Sequence, residues 1–291
     1  MTSDTRTYKL IIAYHGARFR GWQKGNGRTV QSTLLAVIQK ALPDASGGTI
    51  PEDVPVRLDG AGRTDAGVHA EGQVASLVLP AAVDAEALFT QINRHLPADL
   101  AVCSLEQCDD RFHARYRATA RTYRYTVLDG PVGDPFLQDR CWRYDGVLDV
   151  ERMREAADVF IGRHDFSAFT ADRPKPDKER TVHAITIARR GGGDIDRIGG
   201  GHRGRSRSDD YGKRAGSAGG DRPSPITIHV RGSAFLWRQV RIMVGGLVEA
   251  GAARLGTEDL TRTLASRDRS LGPAPAPACG LTLESVEFGE E

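Results

Sequence analysis

The order of the predicted strands and helices is the feature that most limits how this chain can fold. The first hundred residues alternate β-rich runs and amphipathic runs in the order β-α-β-β-α-β. The predicted elements are strands 8–14, 54–58, 74–79 and 100–105 and helices 30–42 and 84–94. Thr29 should cap the first helix, and Pro43 should lie just past its end. This order is typical of the ferredoxin-like arrangement, in which helices cover one face of an antiparallel sheet.

The rest of the chain repeats this pattern. It predicts strands 117–128, 142–144, 182–189 and 226–230, a helix 149–161 capped by Asp149, a long apolar helix 235–250 and a last helix that starts at Thr257. We therefore expect an α+β fold of two ferredoxin-like halves, an N-terminal domain over residues 1–110 and a C-terminal domain over residues 111–291. Their antiparallel sheets should lie side by side around a central cleft, where ligands usually bind.

The stretch from Gly60 to Val74 is the main candidate for a functional loop. It contains four glycines together with Arg63, Asp65 and His69. Glycine and aspartate also occur in ordinary turns, because they suit a positive φ and local hydrogen bonds. A glycine frame, however, lets a backbone approach a ligand closely, and this one could hold a single acid against a bulky substrate.

A second loop contains an aromatic pair whose role the sequence leaves open. Residues 16–27 include Phe19 and Trp22 among glycine, arginine and lysine. The two rings could stack on nucleic acid bases, or they could cover the core beneath the loop. Neither interpretation is favoured by the sequence.

Composition excludes several classes of protein. The net charge is only +2, so a nucleic-acid partner would depend on local basic patches. The four cysteines form no C-x-x-C pair, which predicts free thiols and no metal site. The chain contains neither an apolar signal core nor a run of membrane-spanning length, so we expect a cytoplasmic protein without membrane contact.

A segment rich in glycine, arginine and serine, about residues 190–225, separates two predicted strands. It has almost no apolar residues, so we expect a disordered insertion at a hairpin tip. Such an insertion could be inert, which we favour, or it could touch RNA phosphates weakly.

Residues Ala61–Ala70 resemble the catalytic motif of the tRNA pseudouridine synthase A family. A glycine-rich decapeptide with arginine, aspartate and histidine in place is a specific signal. Further stretches that resemble the family lie at 19–23, 93–97, 112–115, 118–125, 165–169, 235–241, 276–278 and 280–283. The resemblance spans nearly the whole chain apart from the 190–225 segment. The chain has Gln239 where the family usually has methionine, and His183 where it often has arginine.

The resemblance implies two RNP-like halves around an RNA-binding cleft, and it implies roles for six residues. Asp65 would be the nucleophile, Arg241 its cationic partner, and Tyr123 would stack on the target base. Leu281 would pack on the other side of that base. Arg63 would fill the space that a flipped uridine leaves, or hold its phosphate. His69 would contact RNA or only brace the loop, and we slightly favour the brace.

The resemblance also implies the substrate and the partners. The family isomerises uridine to pseudouridine in the tRNA anticodon stem-loop, at about positions 38 to 40, as a homodimer without metal or organic cofactor. For the RNA backbone we expect contacts from Arg115, Arg121 and Arg124, which lie in an arginine-rich segment interleaved with aromatic residues. Arg121 and Arg124 should point to opposite faces of their strand, so the three arginines cannot all reach one groove.

Three alternatives remain open at this stage. The first is a catalytically silent RNA-binding protein on the same fold. The second is a carboxylate-based N-glycosidase, which usually needs a second acid, and Glu71 is the acid nearest to Asp65 within the motif. The third is a related pseudouridine synthase with a different uridine or RNA as its target.

Overall fold

The computed structural model describes residues 5–51, 54–172, 177–189 and 224–289. Its strands are β1 (Thr5–Tyr14), β2 (Arg57–Gly60), β3 (His69–Pro80), β4 (Leu100–Cys108), β5 (Ala118–Asp129), β6 (Trp142–Tyr144), β7 (Gly162–Asp165), β8 (Glu179–Arg189), β9 (Ile226–Gly232) and β10 (Leu281–Phe288). Its α-helices are α1 (Val30–Ala45), α2 (Ala85–His95), α3 (Val150–Ala157), α4 (Gln239–Gly251) and α5 (Thr257–Ser266). The predicted insertion at about 190–225 falls almost entirely outside the described residues.

The ten strands form a single, mostly antiparallel sheet in the order β4-β1-β3-β10-β5-β9-β8-β7, with β2 beside β3 and β6 beside β5. The first half therefore has the order β4-β1-β3-β2, and the second half repeats it as β10-β5-β9-β8. The predicted α+β fold is confirmed, and both halves have the strand order of the ferredoxin-like arrangement. The helices pack in pairs, α1 against α2 and α3 against α4.

The two halves join through a short parallel pairing between β3 and β10. His69 and Ala70 lie opposite Thr282 and Leu283. Farther along the same edge, β3 pairs with β2 instead. The single long strand β3 therefore pairs with strands of both halves. A β-carbon at Gly72 would lie 2.4 Å from the carbonyl oxygen of Glu284, and this close approach requires glycine.

The core follows the alternation of apolar residues. In β1, Tyr8, Leu10, Ile12 and Tyr14 are buried, and they share one continuous cluster with the apolar faces of the helices. None of the helices in the described part of the chain is both long and apolar enough to cross a membrane.

Several predicted boundaries were wrong. Helix α1 continues through Pro43 to Ala45, and the burial of Ala45 offsets the hydrogen bond that the proline cannot make. Strand β3 begins at His69 rather than at residue 74, so the last part of the glycine-rich stretch, residues 69–74, is strand. Helix α3 ends at Ala157 and continues only as a 3-10 turn.

Two larger errors concern the second half. The long apolar helix begins at Gln239 rather than at residue 235, because the chain first makes a turn with Arg238 in the left-handed region. Strand β10, which joins the two halves, was not predicted at all. Acids interrupt its apolar alternation after Leu283, so its sequence resembles an exposed edge.

Candidate active site

The glycine-rich loop lies between β2 and β3 and packs on the loop that follows β1. The backbone N–H of Trp22 donates to the carbonyl of Thr64 at 3.1 Å, and that of Gly67 donates to Phe19 at 3.2 Å. A β-carbon at Gly21 would lie 2.6 Å from the Thr64 carbonyl oxygen, so glycine is needed there as well. Phe19 and Trp22 are both buried. The aromatic pair therefore supports the motif from below, and base stacking by these rings is ruled out in this conformation.

Buried polar side chains fix the loop from the sheet side. The hydroxyls of Tyr14 and Thr64 are hydrogen-bonded at 2.8 Å, and the Gln73 amide donates to the carbonyl of Gly62 at 2.9 Å. Burial raises the pKa of Tyr14 well above its usual value, so its hydroxyl stays protonated. The backbone around Asp65 is thus held by groups that do not ionise near neutral pH.

His69 is a brace between the two halves. Its Nδ1 accepts a hydrogen bond from the backbone N–H of Gly16 at 3.0 Å, and its Nε2 lies 3.1 Å from the carbonyl oxygen of Cys279. Burial, followed by the nearby His15, lowers the pKa of His69. The neutral ring with its proton on Nε2 satisfies both contacts. The ring is buried and both of its nitrogens are hydrogen-bonded within the protein. This geometry favours the bracing role of His69 over the predicted substrate contact.

Asp65 is held by side chains from the opposite half of the molecule. Its Oδ2 accepts a hydrogen bond from Arg241 Nη1 at 2.9 Å, and its Oδ1 accepts one from Trp237 Nε1 at 3.0 Å. Arg238 Nε lies 4.0 Å from Oδ2. The Arg241 side chain is only 12% exposed and that of Asp65 is 20% exposed. The expected contact between Asp65 and Arg241 is present, and it is a partly desolvated ion pair.

Arg241 is itself fixed by the segment that leads into β10. Its Nε donates to the carbonyl of Ala276 at 2.7 Å, and its own carbonyl accepts the backbone N–H of Ala276 at 2.9 Å. The guanidinium therefore cannot turn away from Asp65 without breaking a second hydrogen bond.

Tyr123 and Leu281 lie on neighbouring strands in the same part of the molecule. Both are buried, and Tyr123 meets the ring of Phe235 edge to face at 5.5 Å. Burial raises the pKa of Tyr123 to about 12; the charge of Arg121 opposes this rise and the charge of Asp65 adds to it. The Tyr123 hydroxyl therefore lies within electrostatic range of the Asp65 carboxylate.

Arg121 does not have the predicted role. Its buried guanidinium donates to the carbonyl oxygens of Ala61 and Ser233 at 2.7 Å each. It has no carboxylate partner among the residues that the structure describes, and burial lowers its pKa. Arg121 thus ties the start of the glycine-rich loop to the second half, and its guanidinium is already used by backbone carbonyl oxygens.

Arg124 points to the other face of β5 and is also committed within the protein. It pairs with Glu71 and donates to Glu284 at 2.9 Å. An open cleft of about 1340 Å³ on this face is lined by Glu71, Arg124 and His229 among others, and Asp65 is not part of it. Of the three predicted backbone contacts, Arg115 alone is exposed, with its guanidinium near the ring of Tyr116.

Arg63 lies two residues before Asp65 and is exposed. It makes no hydrogen bond or ion pair with any part of the chain that the structure describes. Its guanidinium is therefore available to an outside ligand.

The sequence did not single out Trp237 as a partner of Asp65. A tryptophan before an apolar helix is indistinguishable from a core residue in the sequence, and the left-handed Arg238 that turns it toward Asp65 leaves no local signature. Within the described ranges, no group of three or more histidine, cysteine, aspartate or glutamate residues could hold a metal ion.

Comparison with known proteins gives a consistent result. A family model described as tRNA pseudouridine synthase matches residues 10–117 and 156–289. The tRNA pseudouridine synthase A of Methylacidiphilum infernorum is 35% identical over 283 residues, which is 97% of this chain and 95% of that protein. The proteins of the same name from Limosilactobacillus reuteri (strain DSM 20016) and Bacillus sp. (strain KSM-64) are each 34% identical, over 97% of this chain and 96% and 99% of their own lengths. The chain belongs to the tRNA pseudouridine synthase family, a family of isomerases.

Proposed function

We propose that this protein isomerises uridine to pseudouridine in tRNA and that Asp65 is the carboxylate that reacts. The observation that carries the proposal is the hold on Asp65, whose two oxygens are bonded by Arg241 and Trp237 at the tip of a glycine-rich loop. The ion pair with Arg241 presents the carboxylate form, which is the form that can act as a nucleophile.

The reaction needs no redox partner and no water. The C1′–N1 bond of uridine breaks, the uracil turns, a C1′–C5 bond forms, and the proton from C5 is lost while N1 regains one. A carboxylate can attack C1′, add to C6 or stabilise positive charge at C1′, and each of these roles needs the charged form of Asp65. Arg241 holds the carboxylate before it reacts and again when it is released.

Tyr123 and Leu281 would hold the uracil between them. A pKa of about 12 means that the Tyr123 hydroxyl is protonated at neutral pH, so it can stack on the base and donate a hydrogen bond. A uridine inside a helical stem has to leave its stack to reach Asp65, at a cost of a few kcal/mol. The exposed and unpaired Arg63 is suited to fill the space that the base leaves or to hold its phosphate.

We further propose that the substrate is the tRNA anticodon stem-loop at about positions 38 to 40, and that the protein works as a cytoplasmic homodimer. These finer statements depend on the family relationship. For the RNA backbone we retain Arg115 and add Arg238, since both are exposed. Arg121 and Arg124 are removed from the proposed contacts, because their guanidinium groups are already used.

The test is release of tritium from tRNA that carries [5-³H]uridine. We expect release with the wild-type protein and none with Asp65→Asn, because the C5 proton is lost only when the C1′–C5 bond forms. A silent RNA-binding protein would release no tritium. An N-glycosidase would yield free uracil. That reaction usually needs a second acid, and Glu71 does not supply one because it pairs with Arg124. Wild-type release from Asp65→Asn would show that the nucleophile is assigned wrongly.

A further inference from the structure

The turn before α4 contributes a second hydrogen bond to Asp65, in addition to the one from Arg241. Trp237 donates its indole N–H to Oδ1, while Arg241 donates to Oδ2. The Trp237 residue is 48% exposed, so burial does not explain why its ring lies there. The position of this large, half-exposed ring therefore has to be explained by its contact with Asp65.

Hydrogen bonds fix the backbone of Trp237, and thus the point from which its ring extends toward the loop. The Trp237 carbonyl accepts the hydroxyl of Thr170 and the backbone N–H of Ala171, each at 3.0 Å. The next residue, Arg238, has a φ of +61°, a left-handed conformation that is unfavourable for a non-glycine residue. The side chain of Gln239 closes the turn by accepting the backbone N–H of Leu236 at 2.8 Å.

We infer that Trp237 is a positioning residue that fixes the plane of the Asp65 carboxylate, an inference that rests on the proposed function. A guanidinium bonded to one oxygen leaves the carboxylate free to turn about its Cβ–Cγ bond. A donor on the other oxygen removes that freedom, so that the reacting oxygen is aimed before RNA arrives. The Arg238 guanidinium lies 4.8 Å from the indole centroid and also restrains the ring.

RNA binding should strengthen this hold. In the free protein, water competes for the half-exposed indole N–H and weakens the hydrogen bond. A tRNA that covers the loop would exclude that water. The hydrogen bond from the same donor would then be stronger, because the site would have a lower dielectric constant. Trp237 therefore acts on the chemical step rather than on the affinity for RNA.

The first experiment tests the hydrogen bond without any activity. The protein has three tryptophans, so its indole ¹⁵N–¹H spectrum should contain three signals. Trp237→Phe assigns the signal of Trp237, and Asp65→Ala should then move that signal while leaving the signal of Trp142, in β6, in place. A Trp237 signal that does not respond to Asp65→Ala would overturn the inference, whatever the enzyme does.

The second experiment measures single-turnover tritium release at saturating tRNA transcript. For Trp237→Phe, which keeps a ring and loses the N–H, we expect the rate to fall about tenfold. The dissociation constant of the transcript should stay within about twofold, and the control Trp142→Phe should match the wild type. No activity in the wild type would reject the proposed function, whereas an active wild type with an equally fast Trp237→Phe would reject only the role of Trp237.

Two further variants separate positioning from RNA stacking. If Trp237 and Arg241 hold the same carboxylate, the loss in Trp237→Phe combined with Arg241→Lys should be smaller than the product of the single losses. Losses that simply multiply would contradict the shared role. A normal rate in Trp237→Phe together with weak transcript binding by Trp237→Ala would assign the ring to base stacking and overturn the inference.

Discussion

Helices α2 and α4 have the same place in the two halves of the fold, yet they begin in opposite ways. Helix α2 starts at a regular cap, where the Asp84 side chain accepts the backbone N–H groups of Glu86 and Ala87. Helix α4 has Arg238 at this position, left-handed and without a side-chain cap. Only Leu88 and Ile92 of α2 are buried, whereas all 13 residues of α4 except Arg241 and Glu249 are buried.

The difference shows where the fold gives up regularity for function. A capped amphipathic helix such as α2 stabilises its half and requires little else. The irregular entry of α4 costs local strain, and in return it delivers Trp237, Arg238 and Arg241 to Asp65 from the other half. Departures from regular local structure are expected to concentrate at functional sites.

The largest expected difference is between the arginines of the two helices. Arg241→Ala should lower turnover about 10³-fold with tRNA binding largely kept, because a carboxylate without its cation is a poorly placed nucleophile. Arg94→Ala, at an exposed site of α2, should leave turnover unchanged. Single-turnover rates and filter binding measure both effects. Weakened binding with normal chemistry in Arg241→Ala would make this arginine an RNA contact instead.

The next effect concerns how closely α4 is packed. A β-carbon at Gly245 would lie 2.1 Å from the carbonyl oxygen of Ala274, which belongs to the backbone and cannot move aside cheaply. We expect Gly245→Ala to lower the free energy of unfolding by about 3 kcal/mol in urea denaturation. The neighbouring Gly246→Ala meets side-chain atoms instead, a Leu260 methyl group at 3.0 Å and Pro273 Cγ at 3.3 Å, and should cost much less. Equal losses in the two variants would show that α4 is not held at Ala274.

The two helix starts should respond to substitution with opposite signs. Asp84→Ala removes a cap and should lower the free energy of unfolding by about 1 kcal/mol. Arg238→Gly relieves a left-handed residue and should raise it by about 0.5 to 1 kcal/mol. Thermal or urea unfolding measures both, and a destabilised Arg238→Gly would mean that contacts of the arginine outweigh its strain.

The smallest effect is a pH dependence at the brace between the halves. The pKa of His69 is lowered from its usual value of 6.5, so the folded protein keeps the ring neutral while the unfolded chain binds a proton. This contribution to stability is complete above pH 6.5 and is lost as the pH falls toward the lowered value. Between about pH 7.5 and 5.5, wild type should therefore lose more stability than His69→Asn. Exposed His95→Asn is the control, and the same pH slope in all three proteins would refute the linkage.

Local sequence patterns predicted most of the fold. The β-forming residues of β1, the alternating apolar residues of β9 and the N-caps Thr29 and Asp149 all gave the right elements. Strand β10 was not predicted because its position depends on pairing with β3 and β5, which lie far away in the chain. A strand that is defined by its neighbours in space has only a weak signature of its own.

The candidate site was predictable only in part, for a similar reason. The glycine frame marked Asp65, and the family resemblance supplied Arg241. Strand alternation placed Arg121 and Arg124 on opposite faces, but nothing in the sequence shows that one is buried against carbonyl oxygens and that the other forms ion pairs. Trp237 was missed because the left-handed turn that aims it is a property of the folded chain.

The most direct test of the central claim maps pseudouridine in the product. An unmodified tRNA transcript with uridines at about positions 38 to 40 is incubated with the wild-type protein or with Asp65→Asn, treated with carbodiimide and read by reverse transcription. We predict stops at one or more of these uridines with wild type and none with Asp65→Asn. Stops that persist with Asp65→Asn, or a wild-type protein that produces no stop anywhere in the transcript, would contradict the assignment of Asp65 as the reacting group of this enzyme.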